Sequence, residues 1–228
     1  MLRELRSHTP PSWVRIVLVS EVVGYLLLAA GFVWFVLGTG KTTRVSHVVY
    51  YVFAAVAPIA LNLLHGDRPA DSGLRLDNLG ASAKEVGLAT ALMAAGLVAG
   101  GLASGGFHWV HWKRFWELSG AYVGWGLGQQ YLLQAFAFRR LRQGGLGPWP
   151  AAGLAAGGFA MLHAPNWPLV GLTFFSGMVW CRLFLRRPNL LTLGTAHGVL
   201  AVLTYHALPV AWMHKMAVGH MYLEAIGP

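Results

Sequence analysis

The chain has 228 residues, of which 56% are hydrophobic and 11% charged, against about 25% charged in soluble domains. That balance excludes one large or two small soluble domains and indicates a polytopic membrane protein, with residues 1–228 forming a single membrane domain. A formal net charge of +9 invites a nucleic-acid partner. The basic residues, however, sit in pairs between apolar runs, where they anchor helices, so the expected partner is the lipid bilayer and no nucleic acid.

A polar stretch containing Pro10 and Pro11 precedes the first apolar run, which is long enough to span and shows no cleavable signal. Runs of about 20 apolar residues mark spanning helices. They fall at 14–38, 46–65, 82–104, 115–138, 150–164, 168–185 and 190–208. The third is rich in glycine and the fifth is short. His65 to Gly80 (HGDRPADSGLRLDNLG) is the one long polar connection, and its Pro, Gly and Asp content makes it a loop. From Pro209 the chain carries Trp212, Lys215 and Tyr222 and reads as an interfacial helix or an eighth span. The predicted fold class is all-α, a polytopic transmembrane bundle of seven or eight helices.

With a cytoplasmic N-terminus, twelve of the seventeen lysines and arginines fall inside, and Lys41, Arg44, Lys113, Arg114 and Lys215 fall outside. That bias predicts the orientation. The one cysteine, Cys181, lies in an apolar run, excludes an intrachain disulfide and reads as a small buried side chain.

Strongly polar groups inside spans are costly, so each is a candidate for function. Glu21 reads as a helix-packing hydrogen bond or a partner for an arginine. Glu117 is spaced for an ordinary ion pair with Lys113 or Arg114. His65, His108, His111, His214 and His220 fall in loops or at span ends. His163 (GGFAMLHAPNW) and His197 (LGTAHGVLAVLTYH) lie within spans. A third run, GQQYLLQAF, puts Gln129, Gln130 and Gln134 into apolar sequence, with Gln130 and Gln134 at the i, i+4 spacing of one helix face. Together these predict a shared polar cavity. His163 and His197 lack a third protein ligand of suggestive spacing, so neither a metal nor another cofactor is expected.

These motifs, in this order, resemble the CPBP family, the CAAX-processing and bacteriocin-immunity group of intramembrane endopeptidases. That family carries EExxxR on one span, then FxxxH, then HxxxN or a similar residue on later spans. FAMLH, from Phe159 to His163, matches the second motif in full, and His197 stands at the start of the third. The resemblance covers about Trp116 to His206. It implies catalytic positions at Gln129, Gln130, His163 and His197, with Gln134, Phe159 and Ala201 lining the cavity. It further implies proteolysis of a membrane-anchored protein or peptide, in a bacterial cytoplasmic (inner) membrane.

The departures from the family pattern are chemical. EExxxR has become QQxxxQ, and Ala201 stands where the third motif carries an amide. In the family the first-motif glutamate acts with a histidine on water, and the asparagine helps hold the oxyanion. A glutamine has no basic lone pair near neutral pH, so Gln129 and Gln130 are not general bases. Losing the arginine with the carboxylates avoids an unpaired buried cation, and the three amides can satisfy one another and the nearby histidines. Two readings stay open: an endopeptidase homologue working by an unconventional, histidine-led route, and a pseudoprotease that binds a membrane peptide or partner. A transporter is less well supported, because the two halves show no internal symmetry.

Overall fold

A computed structural model describes residues 11–35 and 44–227. The polar N-terminal stretch, the last residues of the first predicted span and Lys41 lie outside them. Among the described residues every regular element is helical: α1 (Ser12–Phe35), α2 (Arg44–Leu64), α3 (Leu79–Ser104) and α4 (Trp112–Gln130). Next, α4 continues without a break into a π-helical segment, Tyr131–Phe138, and α5 (Arg139–Gln143). The bundle is completed by α6 (Pro148–Met161), α7 (Trp167–Arg186) and α8 (Leu190–Ala207). A closing strap holds α9 (Val210–Met213), a 3₁₀ turn (His214–Met216) and α10 (Gly219–Ile226).

Each of the seven predicted segments coincides with a helix to within about a turn. Four of the helices, α1, α3, α7 and α8, are long and apolar enough to cross a membrane. By contrast α6 has 14 residues, about 21 Å of helix against a hydrocarbon core of about 30 Å. The chain beyond Pro209 holds no described helix long enough to cross a membrane. Its longest helix has 8 residues, and left-handed backbone at His214, Lys215 and Met216 interrupts any longer one.

Local sequence starts the last two long helices. Asn166 caps α7 by accepting from the Leu169 amide at 3.3 Å, and Asn189 caps α8 by accepting from the Thr192 amide at 3.1 Å. Both satisfy amides that a helix start leaves without partners. Asn189 also donates to the Arg75 carbonyl and to Asn78 Oδ1, each at 2.9 Å. The polar loop is thereby tied to the α7–α8 turn.

The tightest crossing joins α4 to α8. A Cβ on Gly126 would stand 2.7 Å from the Gly194 carbonyl oxygen, and one on Gly198 would stand 2.5 Å from Val123 Cα. Between membrane helices small residues permit this approach, and dispersion contacts hold it. The core forms around the π-helical segment. Its Leu133, Phe136 and Phe138 pack with Ala151 and Ala155 of α6 and Phe184 of α7.

At the other end of that segment lies a buried ionic network. Arg140, 1% exposed, pairs with Glu21 of α1 at 3.2 Å and with Asp67 at 3.5 Å, and Arg139 pairs with Asp67 at 2.7 Å. His65 Nε2 lies 2.7 Å from the second oxygen of Glu21. Asn62 accepts from Arg140 at 2.9 Å and donates to the Tyr131 hydroxyl and the Ala135 carbonyl, each at 3.0 Å. Two cations thus face two anions, which makes their burial tolerable. Glu21 serves an arginine, and α1 meets the long helix at α5.

Candidate functional site

A cavity of about 310 Å³ opens between α1, α4, the α6–α7 turn, α8 and the strap. Gln129, Phe159, His163, His197 and Ala201 all line it. Tyr25, Ala29 and Val33 of α1 supply an apolar wall, and Met216 and Val218 of the strap also line it.

The α4–α8 crossing sets the first polar contact. Because those backbones touch, Gln130 of α4 reaches across to α8, and its Nε2 donates to His197 Nδ1 at 3.1 Å. A nitrogen that accepts carries no proton, so His197 holds its hydrogen on Nε2. On its face the ring stacks against Trp180 of α7, with centroids 4.9 Å apart and planes 21° from parallel. His163 has the opposite tautomer. Its Nδ1 lies 3.2 Å from the Phe159 carbonyl, which can only accept, so Nδ1 carries the proton and Nε2 keeps a lone pair. The Phe159 ring meets His163 edge-on at 5.2 Å and His197 at 6.3 Å. FxxxH therefore works as a unit: the phenylalanine supplies the backbone acceptor that orients the histidine one turn later and a ring between the two imidazoles.

The three glutamines do not bond one another. Gln129 faces the cavity, Gln130 is fully buried against His197, and Gln134 is fully buried outside the cavity lining. Adjacent helical residues point about 100° apart, which separates the first two. The π-helical segment starts at Tyr131, and its wider turn still leaves positions four apart on about the same face, so Gln130 and Gln134 differ in what packs against them one turn along the helix. Gln130 Oε1 and both amide atoms of Gln134 are buried without a hydrogen-bond partner among the described residues. Ala201 lines the cavity but, as alanine, brings no side-chain donor.

Of the eight Asp and Glu residues, all but Glu4 are described, and none of those lines the cavity. Glu21 and Asp67 belong to the Arg140 network. Glu85 pairs with Arg186 and Arg187 at 3.4 and 2.7 Å. Glu117 pairs with Arg114 at 3.5 Å on the surface. Among the described residues no cluster of three or more His, Cys, Asp or Glu is placed to hold a metal ion.

Trp180, Tyr122, Thr173 and the strap residues are site features that motif reading does not reach. Trp180 is one aromatic among ten tryptophans, and nothing local pairs it with His197. Asn166 does carry a signal: an asparagine just before Trp-Pro at the start of an apolar run is a helix-start pattern.

Residues 109–203 match the family model described as Rce1-like, type II CAAX prenyl endopeptidase Rce1-like. The match spans the motif region on which the CPBP resemblance rests and agrees with it. With the apolar helices, it makes this an integral membrane protein. No curated protein and no solved structure matches the chain.

Proposed function

We propose that this chain, a homologue of CAAX-type endopeptidases over residues 109–203, takes a segment of a membrane-associated protein or peptide into the cavity beside His163 and His197 and holds it there as a pseudoprotease. The observation that carries this reading is the donor set. Amides, at Gln129, Gln130 and Gln134, stand where the family's first motif has two carboxylates and an arginine, and two imidazoles complete the set. A peptide group offers one N–H and one C=O. The lone pair on His163 Nε2 suits the first and the N–H on His197 Nε2 suits the second, with no charge on either side. Among the described residues no carboxylate lines the cavity to activate water.

The same tautomers favour a second reading, hydrolysis led by His163. Its lone pair would take a proton from water, while His197 donates to the oxyanion. A labelled single-span peptide and the purified protein in lipid nanodiscs separate the two. The pseudoprotease binds the peptide without cleaving it, and His163→Ala weakens binding about tenfold, the worth of one hydrogen bond to a neutral group. Cleavage by the unmodified protein that vanishes in His163→Ala or His197→Ala replaces retention by the histidine-led mechanism.

The proposed location is a bacterial cytoplasmic membrane with the N-terminus in the cytoplasm. Reporter fusions after Arg142 and after Arg187 then both report cytoplasm, and one between His108 and Lys113 reports the opposite side. Opposite results at Arg142 and Arg187 would overturn that topology.

A further inference from the structure

The strap does more than line the cavity. Ala217 and Val218 have extended backbone (φ −63°, ψ 146° and φ −134°, ψ 160°) and run alongside the α6–α7 turn, just past His163. Asn166 Nδ2 donates to the Ala217 carbonyl at 3.1 Å, and the Gly219 amide donates to the Ala164 carbonyl at 2.8 Å. One accepting residue followed two residues later by a donating one is the pattern by which an edge holds an extended peptide through its backbone. A third bond, from Asn166 Nδ2 to the Met213 carbonyl at 2.8 Å, fixes the start of the strap. Asn166 is fully buried, so its amide is committed to this contact.

The conformation is held against a local cost. His214, Lys215 and Met216 have φ of 43°, 53° and 61°, a left-handed run that side chains with a Cβ disfavour. Gly219, at φ 55°, packs so closely on α1 that a Cβ there would collide with the Val33 carbonyl oxygen.

We propose that residues 217–219 occupy, within the chain, the docking line of an extended peptide formed by Asn166 Nδ2 and the Ala164 carbonyl, and that displacement of the strap admits a peptide to the cavity. This inference rests on the peptide-holding reading above for the identity of the natural occupant. The recognition itself is of backbone, so it tolerates many sequences and selects for extended conformation.

Three substitutions in the full chain test it, with a fluorescent peptide of residues 213–221 as the probe and hydrogen exchange of the strap as a second readout. Gly219→Val forces the strap off α1, so strap amides exchange at least tenfold faster and the probe binds at least tenfold more tightly. Lys215→Gly relieves one left-handed residue at an exposed position outside the cavity, and it shifts both readouts the other way. Asn166→Ala removes the donor, together with the oxygen that caps α7. Its strap amides exchange faster, yet the probe gains no affinity.

Gly219→Val that speeds exchange without gaining probe affinity overturns the docking line. Unchanged exchange in both Gly219→Val and Lys215→Gly overturns the displaceable strap. If Gly219→Val binds the probe while no membrane-spanning peptide is retained, the docking line stands and the peptide-holding function is what fails.

Discussion

Replacing Gln129 and Gln130 by Glu, Gln134 by Arg and Ala201 by Asn together is expected to confer cleavage of a membrane peptide, whereas Gln130→Glu alone confers none. Position 129 faces the cavity and position 130 is fully buried on His197. A lone carboxyl at 130 would be desolvated with no cation beside it, would hold its proton, and would offer water no base. An arginine at 134, one turn on and now occupied by an amide without partners, supplies the missing charge. A carboxylate at 129 then meets water in the cavity, and an amide at 201 gives the oxyanion a donor. A positioned general base contributes about 10²–10⁴-fold and one oxyanion donor about 10²–10³-fold. The quadruple variant should therefore exceed the single one by at least about 10²-fold in the rate of product formation, measured by mass spectrometry of the peptide. Equal rates in the two variants would show that the charge pattern of this motif does not govern chemistry in the cavity.

A bulky residue at Gly198 is expected to unfold the protein at a much lower temperature. The nearest atom to a Cβ at that position is backbone, Val123 Cα at 2.5 Å, with Val123 N and Cγ2 each at 2.8 Å. A backbone cannot rotate away as a side chain can, so Gly198→Val must push α4 and α8 apart. Overpacking costs about 1–3 kcal/mol, occasionally more. The separation also breaks the Gln130–His197 bond and strands buried polar groups, at about 1–3 kcal/mol. A total of about 2–6 kcal/mol follows, together with loss of peptide retention. Gly171→Ala is the control, because a Cβ there meets nothing within 4 Å. A midpoint for Gly198→Val in detergent equal to that of the control would reject the close crossing.

The helices were legible in sequence because hydrocarbon offers the backbone no partners. A helix that crosses it must appear as a long apolar run, wherever it later packs. His163, His197 and the glutamines were legible for the complementary reason, as polar side chains where polarity is costly. Asn62 gives the same signal within the run 46–65, but its partners, Tyr131, Ala135 and Arg140, lie far along the chain. Trp180 gives none, since a tryptophan in an apolar run is at home.

By itself the sequence determined the helical character, the seven apolar segments, the FAMLH and His197 motifs, and the replacement of carboxylates by amides. Each of these is a property of residue type and spacing within about 20 positions. The tertiary structure alone decided that Gln129, Gln130 and Gln134 face three different surroundings, because what packs against each position along a helix is set by other segments of the chain. It also decided that Glu21 serves Arg140 rather than the cavity, that His163 and His197 hold opposite tautomers, and that strap residues line the site. Those are contacts between segments distant in the chain. Their energies depend on which surfaces meet and how closely, and a linear pattern specifies each surface without specifying its partner.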